Sequence, residues 1–288
     1  MAALVSVALA ISGCATVPYV GRGPHPQIER GRPCLPVDAL GNVLSVLAKL
    51  LLWNARFNSH TVSPKTEAVL VRYLDARDLP ALDEAAFRLN QYAPLRDLKR
   101  LARNRHVAWP YRLLFGLPTT LIFEALLPGR VFPWGDYYNP YTNTVHLYSD
   151  DAAITLHEAG HAYDFARRRR KGTYSASRMV SFVDLYQEWQ ASAEAIRFLQ
   201  EIGDRELELR AYTVLYPAYA SYVGGYFTPI GTVIGVLIGH AAGRSKAREQ
   251  RRHYEQLDAA AARSVAEPAS TESPSALMPA VERAASTP

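Results

Sequence analysis

The sequence predicts a mostly helical α+β protein in which a small β-sheet leads into one central helix. Three observations carry this. Long stretches space their apolar residues three and four apart behind helix-start signals. Two short runs, at 86–90 and in "TVHLYS" at 144–149, read instead as strands. In the middle of the chain, strand, cap and helix follow directly: "TVHLYS", then Asp150-Asp151, then "AAITLHEAGHAYDFARRRR". With 288 residues, 49% hydrophobic and 20% charged, the chain can bury a sizeable core and has the composition of a globular protein.

Met1 to Gly21 contains no charged residue, and "MAALVSVALAISGCATVP" runs apolar and small into Cys14. This resembles a bacterial lipoprotein signal, in which the cysteine becomes the acylated first residue of the mature chain. No Lys or Arg precedes the apolar run, as such leaders require, which points to a start further upstream. The resemblance implies removal of residues 1–13, lipidation of Cys14, and an address in the bacterial cell envelope. Ala15 after the cysteine implies the periplasmic face of the outer membrane. Only Cys34 would then remain, so no intramolecular disulfide is expected.

Residues 14–36, rich in Pro, Gly and Arg, read as a tether. Asp38 opens an apolar helical stretch, "ALGNVLSVLAKLLLWNARF". Ser63-Pro64 starts the next helix, with a hydroxyl at the cap and a proline where its missing N–H costs nothing. A short strand is expected over 86–90, and Pro94 opens a basic helix. "TTLIFEALL" reads as β-rich, and the turn-forming stretch from Pro128 to Thr144 follows it. Ser149, Asp150 and Asp151 are cap candidates for a helix expected to end near Gly172. A further helix is expected over 177–202, closed by Gly203.

No charged residue appears between Arg210 and Arg244, and Gly231, Gly235, Gly239 and Gly243 recur at intervals of four. On a helix they form one smooth ridge that admits close approach of another helix. The 22 residues 222–243 are long enough to span a bilayer, so two readings stay open: a membrane-associated segment, or a glycine-rich helical hairpin within the fold. The basic cluster "RSKAREQRR" and the Ala/Ser/Pro-rich end, 244–288, read as a basic stretch and a disordered tail. Net charge is +5, largely from two local runs that read as solvated helix faces, and no aromatic-basic module accompanies them. Nucleic acid is therefore not an expected partner.

The chemistry is concentrated in His157-Glu158-Ala159-Gly160-His161. Histidines at i and i+4 share one helix face, so both imidazoles reach a single metal ion. Zinc suits such neutral nitrogen ligands and in catalytic sites takes three protein ligands plus water. Glu158, one residue round the helix, lies beside that water and can act as its general base. The third ligand must come from elsewhere. Arg167 stands at the sixth position after His161, so the extended metzincin motif is absent. Asp184, Glu188 and Glu194 on the following helix are the candidates.

The stretch 144–198 resembles the active-site core of zincin metallopeptidases of the gluzincin branch. That resemblance selects Glu188 as third ligand and puts a supporting polar residue one turn on, where Ser192 stands in place of the usual Asp. Asp184 and Asp164 are further candidates to hold a ligand in place by hydrogen bonding, Asp164 because it shares the histidine face. In zincins an edge strand above the metal pairs with an extended peptide, a role expected here of the strand "NTVHLYS" at 143–149. For the oxyanion, one of Tyr212, Tyr216, Tyr219 and Tyr222 could serve, without a choice among them. The domain plan is therefore a zincin-like domain over 37–222, with its site in 144–198, followed by the glycine-rich segment 223–243. The implied activity is zinc-dependent hydrolysis of peptide or protein in the envelope. The alternative is a catalytically idle zinc-binding or membrane-assembly lipoprotein that works through its glycine ridge.

Overall fold

The computed structural model describes residues 25–266; the expected signal peptide, Cys14, the first part of the tether and residues 267–288 lie outside them. The described elements are β1 (Ile28–Arg30), α1 (Leu35–Leu44), α2 (Val46–Leu51), α3 (Pro64–Ala76) and α4 (Pro80–Asp83). Then come β2 (Ala86–Leu89), α5 (Pro94–Arg103), α6 (residues 109–126), β3 (Tyr137–Asn139) and β4 (Thr144–Leu147). Five helices complete the order: α7 (Ala152–Arg167), α8 (Lys171–Ser177), α9 (Ser181–Glu201), α10 (Arg205–Gly225) and α11 (Pro229–Ala266). This is a mostly helical α+β fold with one small mixed sheet. One compact unit runs to Arg248; the second, from Glu249, contains the remainder of α11.

The sheet has the order β1-β2-β4-β3, with β1, β2 and β4 parallel and β3 antiparallel to β4. Side chains alternate across it. Phe87, Val145, Leu147 and Tyr138 turn to α7 and join Leu156 and Phe165 in the core. Full burial of such a side chain contributes about 1.5–3 kcal/mol. Arg88, His146 and Asn139 turn the other way, where Arg88 pairs with Asp97 of α5, and His146 and Asn139 meet Glu124 of α6. The central helix α7 is thus fixed on one side by the sheet and on the other by α9 and α10.

Asp151 is the residue that starts α7, its carboxylate accepting the Ala153 N–H at 3.0 Å. The helix stops at Arg167 instead of near Gly172, because the Lys171 ammonium caps the Ala166 and Arg168 carbonyls at 2.9 and 2.7 Å. The expected helix over 177–202 begins only at Ser181; residues 178–180 turn, which frees Arg178 to point into the site. Gly203 follows it with φ +68°, as a C-terminal glycine should.

Two expectations change more substantially. "TTLIFEALL" is helical, not β: α6 runs through 126 with π-helical stretches at Arg112–Gly116 and Thr120–Leu126. Its contact face carries the small or polar residues Gly116, Thr120 and Glu124 at intervals of four, all buried. Residues 222–243 do not form one span. Gly225 ends α10, Pro229 begins α11, and no helix of the described residues is long and apolar enough to cross a membrane. The four glycines instead seat α11 against the backbone of α10, where a methyl group at any of them would overlap Gly224, Ala220, Pro217 or Tyr212. The segment is a glycine-packed helical hairpin and not a single span. Helical backbone also continues through the basic stretch to Ala266.

Candidate metal centre

The i, i+4 spacing on α7 brings the two imidazoles together, with Nε2 of His157 and Nε2 of His161 3.2 Å apart. Glu188, on α9, completes a triangle. Its carboxylate oxygens lie 3.1 Å from His157 Nε2 and 3.3 Å from His161 Nε2. A tetrahedral ion with bonds of about 2.0–2.1 Å requires ligand atoms about 3.3 Å apart. Two imidazoles and a carboxylate are a donor set zinc accepts, and the atoms converge at about that spacing, Glu188 reaching His157 with Oε2 and His161 with Oε1.

The close approach of α7 and α9 rests on Gly160, whose Cα faces the backbone of Ala191. Ala191 and Ala195 are fully buried at the same seam. Ser192 then sits one turn beyond Glu188, and its hydroxyl lies 3.1 Å from Nδ1 of His157. That contact fixes the ring so that Nε2 faces Glu188.

The other carboxylates expected near the site go elsewhere. Asp184 binds Arg178 at 2.8 Å and accepts the Tyr226 hydroxyl, so it braces Arg178 instead of joining the donors. Asp164 is held by Arg168 and the Tyr174 hydroxyl and makes no hydrogen bond to either imidazole. Glu194 pairs with Arg77 and Arg197 on the far side of α9. His146 is buried on the opposite face of the sheet, stacked on Tyr137, and Cys34 is a buried free thiol.

Electrostatics follow from burial around one carboxylate. Burial opposes the charge on Glu188, but His161, Arg178 and His157 outweigh it and hold the carboxyl well below its ordinary range. Burial also works against a charged His157, yet the hydrogen bond and charge of Glu188 raise it. Burial pushes His161 down to about 4, so its ring is neutral and its lone pair available. Glu158 is pushed up to about 8, first by burial and then, against His157, by the Glu188 and Asp136 carboxylates.

Glu158 and Glu188 line two adjoining clefts. One, of about 530 Å³, is bounded by β3, by Arg178 and Met179, and by Leu114 and Phe123 of α6. The other, of about 210 Å³, is bounded by Leu52, Trp134 and the α10 residues Tyr219 and Tyr222. Tyr222 lies on both. Tyr212 is instead buried and donates to Glu208, with Tyr216 packed on it edge-to-face. The strand beside the site also differs from expectation: β4 is interior, paired on both sides, and β3 is the sheet's edge at the cleft.

Sequence reasoning missed two site residues. Arg178 donates to Glu188 as well as to Asp184. Asp136, half-buried, accepts from the Tyr148 and Ser149 N–H groups and the Ser149 hydroxyl, and lines both clefts. The first lies within an Arg-rich stretch and the second in a loop, where no spacing marks either. Compared with known proteins, the chain matches no protein-family model, no curated protein and no solved structure.

Proposed function

We propose that this protein is a zinc-dependent peptidase of the bacterial cell envelope, held there by lipid on Cys14. The observation that carries the reading is the convergence of His157, His161 and Glu188, the two Nε2 atoms 3.2 Å apart and one carboxylate oxygen 3.1 or 3.3 Å from each, with a buried glutamate, Glu158, in the cleft beside them. Zinc held by these three residues supplies a Lewis acid and lowers the pKa of water toward neutrality.

The chain's own residues supply the rest. Ser192 orients His157, and Arg178 steadies Glu188 while Asp184 steadies Arg178. The Glu158 carboxylate takes a proton from the attacking water and returns it to the leaving amine. Tyr222, at the junction of both clefts, is placed to donate to a developing oxyanion. The free edge of β3 offers backbone groups to an extended peptide, which gives sequence-tolerant recognition.

Glu158→Gln tests the reading. The variant should bind zinc like the parent and lose peptide hydrolysis by at least about a thousandfold. Zinc binding with equal hydrolysis in both proteins would remove Glu158 as the base. Zinc binding with hydrolysis in neither would make the protein an idle binder.

A further inference from the structure

Four helices of this protein are built inside out. A helix packed on a water-soluble core turns its large apolar residues inward. Here α1 and α2 turn Gly41 and Ser45 inward and leave Leu40, Val43, Leu44, Leu47 and Leu50 exposed, Leu47 at 77%. On α6 the buried residues are Gly116, Thr120 and Glu124, whereas Leu113, Leu114, Leu121, Ile122 and Leu126 face out. On α11 the glycines face α10, and Ile230, Val233, Ile234, Leu237 and Ile238 face out, Ile230 at 72%. Small residues at helix contacts and aliphatic ones outward is the arrangement of helices that meet lipid.

α6 and the end of α2 border the cleft. Leu114 and Phe123 of α6, with Met179, form one wall, and Leu52 just past α2 bounds the adjoining space. The α2 end joins α11 through Trp53, which stacks on His240 and lies under Arg244. Beyond Met179 stands Phe182, and at the α10–α11 turn Phe227 is 80% exposed.

We propose that α1–α2, α6 and the α10–α11 tip form a face that docks in the surface layer of a lipid bilayer, with the cleft opening toward it. Three features favour lipid over a second protein copy. The outward residues are overwhelmingly Leu, Ile and Val, whereas protein interfaces favour Tyr, Trp, Met and Arg. Trp53, just past α2, and Trp109, at the start of α6, are both more than half exposed, and indole is the side chain enriched at the lipid–water boundary. Cys14 lies eleven residues before His25, a contour of at most about 40 Å. An acyl chain there would hold β1 and α1 within that distance of a membrane. None of these helices crosses the bilayer; they insert sideways, as interfacial helices do. The consequence for substrate rests on the peptidase reading: it would be a peptide that lies at or emerges from the membrane.

The test uses the full chain carrying Cys14→Ser, which removes the acyl site, and vesicles of phosphatidylethanolamine and phosphatidylglycerol at 3:1. The protein should co-float with vesicles, and its tryptophan emission should shift to the blue and be quenched by brominated lipid. Leu47→Glu/Leu50→Glu, Leu114→Glu/Ile122→Glu and Ile234→Glu/Ile238→Glu should each weaken partitioning about tenfold, while zinc content and melting temperature stay at the parent's values. Unaltered brominated-lipid quenching needs no variant, so a misfolded variant leaves the test intact. A Cys14→Ser chain that stays with the aqueous phase overturns the proposal. So does a stable dimer that the glutamate variants dissociate, which would assign the face to a second copy. Zinc content read on the same samples keeps this outcome separate from any failure of the metal centre.

Discussion

Gly160→Ala is the perturbation that asks most of the geometry. A methyl group at this position would lie 2.8 Å from the Ala191 carbonyl oxygen and 3.1 Å from its Cα. Ordinary contact begins near 3.4 Å, so α7 and α9 must separate by about 0.6 Å at this point. Both obstacles are backbone atoms, so no side chain can swing aside. Overpacking of this kind costs about 1–3 kcal/mol, and the better helix propensity of Ala returns about 1. The metal-free protein should therefore lose only about 0–2 kcal/mol. Glu188 sits one turn before Ala191 on the moving helix, and metal–ligand distances tolerate only about 0.2 Å. Zinc affinity should fall tenfold or more, out of proportion to stability. Competition against a chromogenic chelator measures the first, and urea unfolding with chelator present measures the second. Parental zinc affinity in Gly160→Ala would refute the claim that this seam sets the position of Glu188.

Two further outcomes are expected. Ser192→Ala removes the hydroxyl on His157 Nδ1 and should weaken zinc binding about 10- to 100-fold with little change in melting temperature; unchanged affinity would deny that the hydroxyl orients the ring. Glu124 is pushed up to about 7 by burial, above the ordinary 4.5. Its protonated form therefore contributes stability that is full below pH 4.5 and is lost as pH rises through 7. Glu124→Gln keeps the acceptor for Asn139 without the charge and should be about 3 kcal/mol more stable than the parent at pH 8, with the gap closing by pH 5. Urea midpoints at the two pH values decide it, and a less stable variant at pH 8 would show that the charged carboxylate is stabilising there.

The sequence exposed the centre of this protein better than its periphery. The i, i+4 histidines, the Asp151 cap and the position of Glu188 relative to Ser192 are set by helical repeat alone, so linear spacing reports them. The strands at 86–89 and 144–147 were legible for a similar reason: one of their faces enters the core. The α6 segment was not. Reading helices by large apolar residues presumes that those residues point inward, and on α6 the inward positions are Gly116, Thr120 and Glu124. Its outward Thr, Leu, Ile and Phe imitate a strand. Arg178 and Asp136 act from the turn at 178–180 and from the loop just before β3, and long-range placement of that kind leaves no periodic trace. Which of the three carboxylates on α9 faces the histidines depends on the rotation of that helix: Asp184 pairs with Arg178, which also binds Glu188, and Glu194 with Arg77.

Everything rests on one ion at one place. The decisive measurement is the zinc content of the full chain after chelation, reloading and gel filtration, alongside His157→Ala, His161→Ala and Glu188→Ala. The account predicts one zinc per parent chain and nearly none in each variant, with Asp184→Ala and Glu194→Ala still loaded. A parent that retains no zinc, or three variants that retain it fully, would contradict the assignment of the metal centre.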